Sequence, residues 1–288
     1  MRTRKAFCGL VHLLSFMLCV RIPSFSLSIA VSHPAVKLAS TKFRFRSYSV
    51  KMSSQDIVHN AKVVQERIAA ACQQVGRDPN SVILVAVSKT KPASAIMALY
   101  EAGFRHFGEN YYQELSEKVE QLPADIKWHF IGHLQSSKAS KLVKDVPNLY
   151  SVHTVDKEKL ASKLNSAVSA LDDAKDGRKL NVMVQVMTSE EDTKSGVTPL
   201  EAVNLVRYVQ TQCGHLQFTG LMTIGAPGDL SCFDRLLACQ ELVAEHCGVP
   251  RETVQLSMGM SGDFEQAVQR GSHLVRVGST IFGPRIYK

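Results

Sequence analysis

The sequence predicts a single-domain (β/α)8 barrel, and three observations carry that expectation. Eight short apolar runs alternate with amphipathic segments from Ser53 onward, and only the last run lacks a long helical pattern after it. The body, residues 52–288, has a usual length for one such barrel. No GxGxxG turn follows the first run, which removes the main support for a dinucleotide-binding sheet. An open doubly wound sheet stays the structural alternative, because periodicity does not show closure.

The elements follow in order. Ile57, Val58, Ala61, Val64, Ile68 and Cys72 recur at helical spacing and predict a helix over 55–75, before the first strand. Ser53 or Ser54 caps it and Gly76 stops it. Strands are predicted near 82–88, 104–107, 127–131, 149–152, 180–187, 216–221, 254–257 and 273–277. Helical patterns lie between them near 92–102, 110–121, 136–145, 156–171, 198–212, 230–247 and 262–270. Asp156 before "KEKLASKL" and Thr198-Pro199 before "LEAVNLV" read as start signals.

The formal charge of +8 suggests nucleic acid until its position is read. Residues 1–55 hold nine of the 34 Lys and Arg and no acid; the remaining 25 basic residues face 26 acidic ones. The body is therefore near neutral, which removes the argument for a nucleic-acid partner. Residues 1–51 read as a targeting leader. Its apolar stretch, Ala6 to Val20, is shorter than the roughly 20 residues that span a bilayer, so no stable membrane insertion is expected. Scattered Arg and Ser without acids favour a mitochondrial or plastid transit peptide over a secretory signal, and initiation at Met52 would give a cytoplasmic form. Five cysteines in the body with no CxxC pair suit buried thiols better than a disulfide framework.

In a barrel the chemistry sits at the carboxyl ends of the strands, and phosphate often sits in the loops after strands seven and eight. After strand seven comes "LSMGMSGD", Leu256 to Asp263, and after strand eight "VRVGSTIFG", Val275 to Gly283. Both can aim backbone N–H groups and the Ser257 and Thr280 hydroxyls at one phosphate, although each alone also reads as an ordinary turn. Val85, Val87 and Lys89 share one face of the first strand, so if the valines fill the barrel the Lys89 amine points into its mouth. Lys91, the rival amine, precedes Pro92 and sits further into the loop. An amine facing a phosphate cradle specifies pyridoxal 5'-phosphate, which offers an aldehyde to one and a phosphate to the other. His129 and His133 are four apart on a strand with no Glu between them, so metal binding is not expected. The loop "SEEDTKSG", Ser189 to Gly196, reads as solvated.

Together "AVSKTKP", "FGENYYQE", "WHFIGHLQSSK", "LSMGMSGDFEQAV" and "VRVGSTIFGPR" resemble the pyridoxal phosphate homeostasis protein family, single barrels similar to the N-terminal domain of alanine racemases. The likeness is collinear from about Ile57 to Tyr287, with a plant-like cast in "VGSTIFGPR". It implies that Lys89 holds the cofactor as a Schiff base. It further implies that Ser257, Gly259, Ser261, Gly278, Ser279 and Thr280 surround the phosphate. Arg276 would face the pyridine nitrogen, and Asn110 and His133 would lie near the ring or its rim. A guanidinium stays protonated and only donates, so Arg276 would keep the ring nitrogen neutral and weaken it as an electron sink. An arginine that only pairs with the phosphate is the alternative.

Two functions are weighed. The first is a monomeric carrier that buffers the cofactor and delivers it to apoenzymes that use it; the second is an amino-acid racemase. Related racemases add a β-rich domain that covers the ring, and none is expected here, which favours the carrier. A barrel taking a phosphorylated metabolite explains the loops but leaves Lys89 idle.

Overall fold

A computed structural model describes residues 52–171, 177–189 and 195–284. The leader predicted over residues 1–51 and the middle of the loop predicted over 189–196 lie outside the described residues. Eight parallel strands form the barrel wall: β1 (Ile83–Val87), β2 (His106–Glu109), β3 (Lys127–Phe130), β4 (Leu149–Val155), β5 (Leu180–Gln185), β6 (Leu216–Met222), β7 (Gln255–Ser257) and β8 (Leu274–Val277). The helices are α1 (Ser54–Gln74), α2 (Ala93–Glu101), α3 (Tyr112–Val119), α4 (Ala139–Asp145), α5 (Glu158–Ser169), α6 (Pro199–Gln212), α7 (Ser231–Cys247), α8 (Phe264–Gln269) and α9 (Ser279–Phe282). The sheet is closed: β1 pairs with β8 from Ile83↔Leu274 to Ala86↔Val277, which excludes the open-sheet alternative.

Local chemistry explains the boundaries. Ser53 and Asp56 form a reciprocal capping box that starts α1, and Gly76, at φ 66°, follows its last turn. Thr198 and Glu201 form the same box at α6, with Pro199 in the first turn. Asp156 does not cap α5: Lys157 precedes the helix, and the carboxylate faces His133 Nδ1 at 3.8 Å and Lys157 Nζ at 3.5 Å instead. β4 runs three residues past its predicted end because its polar "HT" is buried. Thr154 Oγ1 there donates to Gly132 O at 2.7 Å. α9, a short helix, follows β8 where the Gly and hydroxyl residues read as a turn.

The apolar core has two layers. Outside the wall, Phe107, Trp128, Phe130 and Leu256 pack under the helices. Inside it, Val85, Met183, Met222 and Leu274 form a smaller cluster with Ile83 beside them. Opposite that cluster the interior is polar, with His129, His153 and Arg276 buried. The helix that precedes β1 closes the outer ring against α8 and α9. Arg67 grips Glu265 there with bonds of 3.0 and 2.8 Å while stacking on Phe264, and Asn60 Nδ2 donates to Ile281 O.

Candidate functional site

A cavity of about 450 Å3 opens at the carboxyl ends of the strands. Val87, Lys89 and Lys91 enter it from the end of β1 and Asn110 from the end of β2. Ser261, Arg276, Gly278 and Ser279 enter from the β7 and β8 side, and Ile131 and Ile224 supply apolar wall. Six residues expected at the site therefore meet in one cavity: Lys89, Asn110, Ser261, Arg276, Gly278 and Ser279. The period of two predicted on β1 is observed, with Val85 in the barrel interior and Val87 and Lys89 above it.

The remaining expected residues sit elsewhere. Ser257 does not line the cavity: it is fully buried on the inner face of β7, its hydroxyl beneath Arg276. Gly259 lies behind the wall at φ 92°, where a Cβ would come within 2.5 Å of Ala267 Cβ and 3.0 Å of Phe264 Cα. Thr280 turns its hydroxyl to Ser261 O at 3.4 Å. His133 is exposed and does not line the cavity; its Nδ1 is 3.8 Å from Asp156 and 3.5 Å from Ser195 Oγ.

On the β8 side two backbone donors come together. The N–H groups of Gly278 and Thr280 converge on Ser261 Oγ at 3.2 and 3.4 Å, so a hydroxyl oxygen occupies a position where two amide donors point. Asn110 Oδ1 is buried with no hydrogen-bond partner among the described residues. Gly132, two residues past β3, is what lets the chain pass this asparagine, because a Cβ there would fall 2.0 Å from Asn110 O. A converging pair of donors, a buried cation and an unmet acceptor fit a ligand that carries both an anionic group and polar ring substituents.

Lys89 sits in a strained turn. Thr90 has φ 63°, a region costly for a β-branched residue, and Lys91 N donates to Ser88 O at 3.0 Å across the turn. Glu114 Oε2 holds the Thr90 N–H at 2.7 Å. Behind the turn, Lys118 Nζ donates to Ser88 O at 3.0 Å, Glu109 Oε1 at 2.7 Å and Glu114 Oε2 at 3.3 Å, and Ser88 Oγ donates to Glu109 Oε1 at 2.6 Å. Burial raises the Glu109 carboxyl above its ordinary value, with Lys118 and Ser88 opposing it. Lys91 is committed elsewhere: its Nζ donates to the carbonyls of Phe282, Gly283 and Pro284 at 2.8, 3.4 and 3.1 Å. Burial pulls its ammonium below the usual lysine range.

Below Arg276 runs a ladder of polar contacts. Arg276 Nη1 donates to Ser257 Oγ at 2.6 Å and Nη2 to Thr223 O at 2.7 Å. Ser257 Oγ is 3.1 Å from His153 Nδ1, His153 Nε2 is 2.8 Å from His129 Nδ1, and His129 Nε2 is 2.8 Å from His106 Nδ1. Burial, then Arg276, lowers His153 to about 3; burial, then Lys127, lowers His106 to about 4. Burial holds His129 well below the ordinary imidazole value, followed by His153, His106 and Lys127. Arg276 is lowered by burial to about 10, against Asp263, and stays charged at neutral pH.

Residues 53–285 match the model of the alanine racemase N-terminal domain family. The human pyridoxal phosphate homeostasis protein is 46% identical over 239 residues, covering 78% of this chain and 86% of that one. The chain belongs to the pyridoxal phosphate homeostasis protein family. PipY of Synechococcus elongatus, solved with pyridoxal phosphate bound, is 34% identical with a TM-score of 0.62, covering 76% of this chain and all of that one. An alanine racemase from Corynebacterium glutamicum, 15% identical, shares the fold with a TM-score of 0.61 over 81% of this chain and 62% of its own. Membership of the homeostasis family agrees with the resemblance drawn from the five motifs. Sequence reasoning missed the ladder, because no single motif contains it. A signal was there: "RHF", "WHF" and "VHT" place one histidine in each of three consecutive strands, at positions 106, 129 and 153. The cluster of Glu109, Glu114 and Lys118 was missed as well, hidden in "GENYYQELSEK" as ordinary helix charge.

Proposed function

We propose that this chain binds pyridoxal 5'-phosphate covalently through Lys89 and acts in the homeostasis of that cofactor, buffering it and delivering it to the apoenzymes that use it. The observation that carries the reading is the meeting of Lys89, Arg276 and Ser261 around one cavity, with the Gly278 and Thr280 N–H groups converging on the Ser261 hydroxyl. When bound, the cofactor supplies an aldehyde that an amine can attack and an electron-withdrawing ring. Lys89 provides the amine from a strained turn that fixes its direction. The backbone donors around Ser261, with Ser279 at their edge, hold the phosphate, and Arg276 donates toward the ring nitrogen. Asn110 offers a polar contact at the cavity edge. Ser257, Gly259 and Thr280 shape the cradle from behind, and His133 stands outside the cavity lining.

Holding, more than turnover, is supported by the titratable groups at the cavity. Among the described residues, those lining it are Lys89, Lys91 and Arg276, and Lys91 is tied to three carbonyls. Racemisation needs a proton donor and acceptor on the two faces of a substrate carbanion. The shared fold with alanine racemase supports a second reading as a racemase-like enzyme. The acid-free residues 1–55 support import into a mitochondrion or plastid, with a cytoplasmic form starting at Met52.

Borohydride reduction of the pyridoxal phosphate complex followed by peptide mapping tests the reading. A pyridoxyl group on Lys89 supports it; one on Lys91, or none, overturns it. Racemase turnover that Lys89→Ala abolishes would replace the carrier with the enzyme.

A further inference from the structure

The ladder beneath Arg276 crosses the barrel. Gly108 pairs with His129, and His129 with Ser151, so His106 sits two residues below that level and His153 two above it. Each histidine thus meets its neighbour on the diagonal between adjacent strands, a separation that aromatic rings bridge. The chain climbs from half-buried His106, beside Lys127 and Tyr150, to Arg276 in the cavity floor.

The direction of its hydrogen bonds follows from one end. A guanidinium has only donors, so Ser257 Oγ accepts from Arg276. The Ser257 hydroxyl proton then has one acceptor within reach among the described residues, His153 Nδ1. The His153 proton must therefore sit on Nε2 and point at His129 Nδ1, and the His129 proton must sit on Nε2 and point at His106 Nδ1. His106 carries its own proton on Nε2. The opposite polarity would leave the buried Ser257 proton without a partner, a cost that native interiors avoid.

We propose that His106, His129, His153 and Ser257 form a polarised relay that holds Arg276 as a fixed donor and makes the cavity select ligands whose inward ring atom accepts a hydrogen bond. The three histidines are positioning residues, acting through Ser257 and Arg276 without touching the ligand. The inference deepens the reading of the cavity as a pyridoxal phosphate site and rests on it for the ligand. Its consequence is specificity: a ring with C–H in place of the nitrogen, or an N-methylated one, offers Arg276 nothing to bind.

Two measurements test it. In the full chain labelled with 15N-histidine, long-range 1H–15N spectra should show His106, His129 and His153 neutral, all in the Nε2–H form, and Ser257→Ala should release His153 from that single tautomer. An Nδ1–H form for any of the three in the unsubstituted protein, or tautomers indifferent to Ser257→Ala, overturns the relay. Affinity for pyridoxal phosphate should exceed that for its 1-deaza analogue by about tenfold or more, the ratio expected for one lost charged hydrogen bond. Ser257→Ala should shrink that ratio at least threefold; an unchanged ratio overturns the positioning role. Where Ser257→Ala does not fold, Ser257→Gly and the spectra of the unsubstituted chain decide. Both ligands keep the aldehyde, so reduced adducts on Lys89 with no discrimination refute the relay alone, whereas failure to label Lys89 refutes the site.

Discussion

Replacing Lys118 by Met tests whether the turn carrying Lys89 rests on a buried ion pair. The ammonium is nearly as buried as the Glu109 carboxylate it meets at 2.7 Å, with side-chain exposures of 8% and 0%. Met fills the same volume but removes the donor from Glu109, Glu114 and the Ser88 carbonyl. A lost charged hydrogen bond alone costs about 1.5–3 kcal/mol, and a buried charge left uncompensated costs about 3–5 kcal/mol. Glu109 Oε2 already lacks a hydrogen-bond partner among the described residues, so the upper range applies, about 4 kcal/mol at pH 8. With a urea m-value of about 3 kcal/mol/M, the midpoint falls by about 1.3 M.

The penalty depends on pH in a fixed direction. Burial already raises Glu109, and removing Lys118 raises it further. Between the unfolded and folded values the native state then holds a proton that the unfolded state lacks, so stability falls as pH rises through that window and recovers as pH drops. Adding Glu109→Gln removes the charge while keeping an acceptor for Ser88, and should restore most of the loss. Urea titrations of the three proteins from pH 5 to 8 check this. A single variant within about 1 kcal/mol of the parent at pH 8, or a double variant no more stable than the single, would refute the reasoning.

Two further outcomes are expected. Gly259→Ala should destabilise the fold by roughly 2–4 kcal/mol, since it adds a Cβ 2.5 Å from Ala267 Cβ at φ 92°, and thermal melting reads the loss. The histidines, held neutral by burial, contribute stability that is fully present above their unfolded value near 6.5 and lost as pH falls toward about 4 for His106 and about 3 for His153. A urea midpoint that stays flat from pH 7 down to pH 4 would contradict their burial in the neutral form.

The barrel was legible because its wall obeys a period of two and its helices carry start signals that act locally. Val85, Val87 and Lys89 took their places from that period alone, and the capping boxes at Ser53 and Thr198 need only residues three apart. Ser257 shows the limit. The same period that places it at the carboxyl end of β7 also turns it inward, and whether an inward hydroxyl meets ligand or another side chain depends on the neighbouring strands. The ladder was illegible for the same reason, since its histidines lie 23 and 24 residues apart, Ser257 lies 104 beyond His153, and all meet only when the sheet closes. Asp156, a strong start signal by residue type, was diverted by contacts with His133 and Lys157.

The pairing of β1 with β8 bears on how the protein is made. The amine-bearing turn at residue 89 and the cradle at 278–280 come from opposite ends of the folded chain, and the Lys91 bond to Phe282 spans 191 residues. No partly synthesised chain contains both halves of the cavity, and contacts of such long range form late. Binding through both halves thus reports a completed barrel, and a chain truncated before β8 should capture aldehyde no better than any exposed lysine.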